Sequence, residues 1–411
     1  MLRYPLVVLL LLGSAAAASA EDWPGFRGLT RQGVSTETGL PLRWSPTENV
    51  AWKTPISGAG WSSPIVWGKR IFLTTATDEG TSCHVLALDA ETGEVLWDRR
   101  VFGQDALQKR EQNSYASPTP VTDGETVFAV FGGGGVAALD FDGNMLWTNR
   151  DFDFYSEHGL GASPILYKDT VIMTFDPSSR TGRAEKIGWK VPWNGAALWA
   201  LDKKTGKRVW EAKRGPSRLA HVTPNFMEAA GRLQLVSGAG DVIQGFDPDT
   251  GERLWSVYSQ GEGVVPSIVV GGGLAYSISG FEATTIRAVA PGGKIVWEQT
   301  RSASHIPSMI YDRGLLFNMH EGGVATCMDA ETGEVIWQQR VGGQHWASPV
   351  LADGRIYFLS EAGETIVIEP GREYKELARS DLGERTQASM AVSGGRLYIR
   401  TADHLWAIGP R

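Results

Sequence analysis

The residues best able to do chemistry in this chain cluster just ahead of a recurring phrase in which proline adjoins Ser or Thr. Four of its seven histidines, His158, His221, His305 and His345, lie within seven residues of such a proline. A second set is acidic: Asp241, Glu282, Glu321 and Glu361. Zinc would need three or four such groups meeting at about 2 Å from one point. The histidines sit at unequal distances from their prolines, so no metal is assigned. Two carboxylates at a suitable separation could serve as acid and base, and a mixed cleft could take a cation, a sugar or a peptide. The same residues would serve equally as the polar lining of a water-filled channel. Trp61, Tyr115, Arg218 and Trp346 occupy the same connections. A long connection, residues 176–195, carries Arg180, Arg183, Lys186 and Lys190 with Trp189 and Trp193. In a chain of net charge −7 this basic-aromatic loop could cover a site or meet an anionic partner. An acidic chain is a poor nucleic-acid binder. Cys83 and Cys327 are the only cysteines, so there is no disulfide framework and no Cys-x-x-Cys-His for haem. No catalytic residue is assigned.

The elements that must hold these groups repeat. "ALDAETGEVLW" ends at Trp97 and "CMDAETGEVIW" at Trp337, with variants ending at Trp147, Trp210, Trp255, Trp297 and, without the indole, Leu377. The proline phrase keeps step, at Ser63-Pro64, Ser117-Pro118, Ser163-Pro164, Thr223-Pro224, Pro266-Ser267, Pro307-Ser308, Ser348-Pro349 and Ser389-Met390. Each unit reads as four short strands joined by turns. Radial repetition of such units is the signature of a β-propeller. The expected fold is all-β: an eight-bladed β-propeller of four-stranded antiparallel blades. Within the phrase, Asp can accept from backbone two residues on, Gly can take positive φ, and Trp can wedge between blades. The variable inter-blade connections and second-to-third-strand turns share one face of a propeller, the funnel face, where function concentrates. The candidate ligand-binding residues there are Trp61, Tyr115, His158, Arg183, Lys190, His221, Glu282, His305, Glu321, His345 and Glu361.

The last unit lacks a fourth strand. "ENVAWKTPI", Glu48 to Ile56, reads as that strand with Trp52 in the Trp position, so residues 48–411 form one ring closed by an N-terminal strand. Residues 21–47, rich in Gly and Pro, read as an extended arm packed on the outside of the ring by its aromatics, with a ligand role open for Arg27 or Arg31. Residues 1–20 read as a secretory signal peptide, which implies a secreted or periplasmic protein. The apolar run there is too short to span a bilayer, and no later stretch is long enough. A monomer is expected.

The eleven-residue phrase resembles the tryptophan-docking motif of the PQQ-like (quinoprotein dehydrogenase-like) eight-bladed propellers. "WPGFRG" with "GLPLRWSPTENVAWKTPI" is similar to secreted bacterial PQQ-like repeat proteins of about this size. The resemblance implies either of two activities. One is a binding or assembly scaffold acting through the funnel face on a protein, peptide or carbohydrate, as in the outer-membrane assembly propellers, although their lipid-bearing Cys is missing here. The other is a PQQ-dependent oxidoreductase of alcohols or sugars. Many alcohol-oxidising relatives carry an adjacent Cys pair beside the quinone; this chain has none. No motif here matches the calcium ligands or catalytic Asp of those enzymes. PQQ with calcium therefore belongs to the alternative reading, and no cofactor is assigned.

Overall fold

The computed structural model describes residues 20–106, 113–301 and 303–410; the signal-peptide assignment falls, but for Ala20, outside them. Eight four-stranded antiparallel sheets stand around a central shaft. Blade one runs from its inner strand outward as Ile65–Trp67, Arg70–Thr77, Ser82–Asp89 and Val95–Gly103, and blades two to seven repeat that order. Blade eight has Ala391–Ser393, Arg396–Arg400 and His404–Ile408, and its outer strand is Val50–Pro55 from the other end of the chain. Trp52 there pairs with Ala407.

The docking phrase works as three linked devices. Asp89 Oδ1 accepts the N–H groups of Glu91 and Thr92 at 2.9 and 2.8 Å, which shapes the turn. In every blade the outer pair then shifts register by one residue just before the Trp position. Such a bulge bends and twists its strand, and here it swings the indole toward the next blade. Trp97 donates to Phe141 O at 2.9 Å and Trp147 to Lys203 O at 2.8 Å. Gly93 has φ 77°, and a Cβ there would lie 2.5 Å from the Trp52 ring, so glycine is needed for conformation and for clearance. A buried indole covers about 150–250 Å², worth a few kcal/mol before entropy at about 25 cal/mol per Å². In four blades the extra residue of the bulge is exposed: Leu96, Leu146, Val209 and Val296.

Blade seven borrows its indole: its Trp position holds Ala378, and Leu377, where the sequence placed the end of the phrase, is the bulge residue. Trp44 of the arm is buried and stacks on Tyr357 at 6.4 Å. Tyr357 holds the strand position from which Phe72 and Tyr398 meet Trp97 and Trp52 in their own blades. The Trp44 backbone N–H donates to Ser380 Oγ on the outer strand Glu376–Asp381.

Around Arg43 and Trp44 the arm packs on the outer strand of blade seven, but its earlier part does not pack on the outside, as the sequence suggested. It crosses the end of the shaft opposite the funnel face and touches most blades on the way. Trp23 exchanges backbone hydrogen bonds with Val66, and Pro24 O accepts from Thr122 N. Arg31 reaches Asn225, Gln32 reaches Val270, and Arg27 Nη2 donates to Met309 O at 2.6 Å. Ser35 and Gly33 pair with Leu351. These partners are mostly backbone groups on inner strands, which a sequence does not mark. Arg27, buried in this plug, is a structural tie, and burial lowers its pKa to about 9.

The closing seam is pH-sensitive. Lys53 lies 2.6 Å from Glu384 Oε1 and 4.1 Å from the centre of the Trp406 ring. Burial pushes the Glu384 carboxyl up, but hydrogen bonds from Lys53, Thr401 and His404 outweigh it and hold the pKa near 2, below the ordinary 4.5. A depressed acid stabilises fully above its unfolded pKa and loses that contribution as pH falls through its folded one. Glu384→Gln should therefore melt lower than the parent at pH 7, with the difference closing between pH 4.5 and 2 in a series of thermal melts.

Candidate functional site

The proline phrase builds the shaft wall. Its hydroxyl residue stands two positions before each inner strand: Ser63, Thr119, Ser163, Thr223, Ser267, Ser308, Ser348 and Ser389. These residues form a hydrogen-bonded belt from blade to blade. Ser63 N donates to Thr119 Oγ1 (2.9 Å), Thr119 N to Ser163 Oγ (3.0 Å) and Ser163 N to Thr223 Oγ1 (3.0 Å). Ser267, Ser308 and Ser348 continue it at 3.0, 3.0 and 2.9 Å, and Ser389 N returns to Ser63 Oγ at 3.1 Å. Between blades four and five Ile268 N donates to Thr223 O instead. Where proline follows the hydroxyl residue, as at Pro64, Pro120, Pro164, Pro224 and Pro349, that position carries no backbone donor. In blade two the belt uses Thr119-Pro120; Ser117 of the expected phrase turns to Ser114, 3.0 Å away.

The belt surrounds a cavity of about 430 Å³. Phe26 of the plug contributes to its lining, as do Trp61, Trp346, Phe281, Leu160, Val265 and Ile306. Trp189 and Lys190 reach it from the long connection of blade three, which folds across the funnel face. Ion pairs hold that connection at its root and near its tip. Asp176 at its root makes a buried two-pronged ion pair with Arg214, one arm at 3.0 Å. Lys190 near its tip meets Glu262 at 2.5 Å and Glu282 at 3.4 Å, both reached from blade five. The Lys190 ammonium is held above its usual range chiefly by the Glu262 hydrogen bond.

Of the candidate residues, Trp61, His158, Lys190 and His221 line the cavity. His158 packs edge-on against Trp189 (5.6 Å) and His221 (6.3 Å). His221 is half-buried in the cavity wall; desolvation, with a smaller contribution from His158, takes its pKa down to about 3, so it is a neutral imidazole. The remaining candidates stand around the mouth or within the wall. Glu282 is paired with Arg218 at 2.8 Å, and Arg218 grips Asp241 at 2.6 and 2.7 Å. Glu361 accepts from Arg385 at 2.8 Å, whose guanidinium lies 5.4 Å from the Trp61 ring centre. Arg183 sits 3.6 Å from Glu157 and over Tyr155, at the rim. Tyr115 packs against Gly80 away from the cavity. His345 is fully buried, its ring nitrogens 3.2 and 3.0 Å from the carbonyls of Leu359 and Gly342. It ties the connection down and does not face the shaft.

The two sequence sets meet at one place. His305 is hydrogen-bonded to Glu321, stacks on Phe281 at 4.6 Å, and has His320 close by. One ligand atom from each of His305, His320 and Glu321 falls within 4.8 Å of the others. The donor set nevertheless does not suit an ion. His320 Nδ1 accepts the Gly322 N–H at 3.0 Å, which fixes the ring proton on Nε2, the atom facing Glu321. A metal would have to displace that proton and oppose two N–H groups.

Fold and belted shaft together define an eight-bladed propeller of the PQQ-like repeat class. The chain belongs to the family described as outer membrane protein assembly factor BamB, whose family model matches residues 30–150, 191–280 and 282–411. The structure of BamB from Moraxella catarrhalis is similar, with 15% identity, a TM-score of 0.61, and coverage of 87% of this chain and 99% of that one. A europium-containing methanol dehydrogenase shares 13% identity over 93% of this chain and 90% of its own, at a TM-score of 0.67. The quinohemoprotein alcohol dehydrogenase of Comamonas testosteroni shares 12% over 95% and 81%, at 0.65. At these identities the likeness is one of fold. No curated protein sequence matches the chain. Residues 151–190, which the family model leaves unmatched, include His158, Arg183, Trp189 and Lys190.

The shaft residues do not fit PQQ with calcium. That quinone is a flat tricarboxylate, yet the cation in the cavity lining, Lys190, is already held by two glutamates. The carboxylates at the mouth, Asp241, Glu282, Glu321 and Glu361, are each engaged by a cationic or histidine partner. A calcium ion would need six to eight oxygen ligands, and the one carboxylate of the cavity lining among the described residues, Glu262, is already paired with Lys190.

Proposed function

We propose that this protein is a secreted or periplasmic binding scaffold whose working site is the capped shaft, entered from the funnel face beneath the blade-three connection. The observation that carries this reading is the combination of a plug at one end, an aromatic mouth at the other, and a specialised connection over that mouth. A ligand-sized cavity with aromatic walls and convergent polar groups is the usual form of a binding site. Propellers often bind through this face. Residues 151–190 contribute His158, Leu160, Trp189 and Lys190 to the lining, so part of its selectivity belongs to this chain rather than to the family frame. A protein, peptide or carbohydrate group can enter; the fold likeness to quinoprotein dehydrogenases supplies the rival reading, since fold alone does not fix chemistry.

Titration separates the two. The scaffold reading expects no chromophore shift when PQQ and calcium are added at micromolar levels, and no dye-linked oxidation of alcohols or sugars. Stoichiometric quinone binding with turnover would replace it by the oxidoreductase reading. Ile306→Trp, which puts an indole into the shaft from a residue outside the belt, should abolish ligand capture in a variant that still unfolds cooperatively.

A further inference from the structure

Seven belt hydroxyls, those of Ser63, Thr119, Ser163, Thr223, Ser308, Ser348 and Ser389, line the cavity and are buried to at least nine-tenths. Each accepts one N–H from a neighbouring blade. None donates its own O–H to an acceptor among the described residues. The belt is therefore a ring of hydroxyl donors turned on one space. Buried donors need partners, so an occupant that replaces water there must carry acceptor oxygens around its edge.

Charge narrows the class. Lys190 and Glu262, the charged side chains of the lining, neutralise one another, and His221 is uncharged at neutral pH. Two buried guanidinium groups stand in the surrounding structure without a carboxylate. Arg27 is directed at the carbonyls of Gln32 and Met309, and Arg400 at those of Ser62 and Thr74. Neither reaches the cavity. Their field favours acceptor oxygens but offers an ion no direct partner. Above the belt, Trp61, Trp189, Trp346 and Phe281 supply apolar faces. A molecule with oxygens at its edge, C–H groups on its faces and no net charge meets both zones at once.

We propose that the shaft binds a neutral saccharide one or two rings deep. Its hydroxyl and ring oxygens accept from the belt, and a C–H face rests against the indole of Trp189. The cavity is within the roughly 300–1,000 Å³ typical of small-molecule sites. This proposal rests on the shaft being the binding site and names what enters it.

The test is calorimetric titration of the mature protein with cellobiose, maltose and N,N′-diacetylchitobiose. Glucuronic acid and a capped trialanine are titrated in parallel. Wild type is compared with Trp189→Ala, Ser308→Ala and Ile306→Trp. At least one neutral disaccharide should bind wild type and fail to bind Ile306→Trp. Trp189→Ala, in a surface connection, should weaken binding about tenfold. Ser308→Ala should weaken it about three- to tenfold; its melt is recorded because it also orphans Ser267 N–H. Binding of only the acid or the peptide, lost in Ile306→Trp, would overturn the saccharide and keep the shaft as the site. Disaccharide binding unchanged in Ile306→Trp would overturn both. No disaccharide binding up to about 10 mM would overturn the saccharide alone.

Discussion

Removing residues 48–56 should turn a soluble protein into an aggregating one. The deletion takes the outer strand from blade eight and leaves the edge of His404–Ile408 unpaired. It also removes Trp52, whose indole donates to Ala90 O of blade one at 3.1 Å, and Lys53, which holds Glu384. An exposed flat edge invites pairing with other chains, and the deletion makes one of His404–Ile408, a largely buried strand that the native blade keeps paired on both sides. Size-exclusion chromatography reads the result. A monomeric, cooperatively unfolding deletion variant would refute this account of closure.

The second large effect is expected at Asp176. Its ion pair with Arg214 is fully buried, and Arg214 also reaches Ser237 Oγ at 2.9 Å. Asp176→Ala leaves a guanidinium without a counter-charge in the wall between blades three and four. Breaking a buried pair from one side costs about 3–5 kcal/mol, whereas replacing both partners by apolar groups is often neutral. Denaturation midpoints should therefore fall sharply in Asp176→Ala and recover most of the way in Asp176→Leu with Arg214→Met. Because Asp176 roots the blade-three connection, the single variant should also lose ligand capture beyond its loss of stability.

The sequence carried the repeats, the blade count and the closing strand because each is written in local chemistry. Trp52 keeps the period of the other docking tryptophans, and Asp, Gly and Trp recur where a turn, a positive φ and an inter-blade wedge are needed. Trp44 carries no such mark: it enters blade seven from the arm, outside any repeat, and only its contact with Tyr357 shows what it replaces. The arm's path was hidden for a related reason, since Trp23, Pro24 and Ser35 bind backbone atoms of inner strands.

Site residues were legible as a neighbourhood but not as a geometry. His158, His221, His305 and His345 occupy similar places ahead of the belt, yet two line the cavity, one pairs with Glu321 at the mouth, and His345 turns into the wall. Side-chain direction at a connection depends on local backbone, which spacing does not encode. The belt itself was visible as the Ser/Thr-Pro phrase. In blade two, with Ser117-Pro118 and Thr119-Pro120 side by side, only the distance to the inner strand Val121–Thr122 chooses between them. Phe26 gave no signal because its role depends on the arm entering the shaft.

Thiol labelling tests the accessible shaft most directly. Cys83 and Cys327 are buried, and burial raises both thiols to about 12, so the folded protein should be silent toward maleimide. Val265, half-buried in the cavity wall, can then be replaced by a single reporter, Val265→Cys. Rapid labelling of that residue in the folded protein, slowed when Ile306→Trp fills the shaft, is the predicted result. A Val265→Cys variant as unreactive as the native thiols would contradict an open, ligand-accessible shaft.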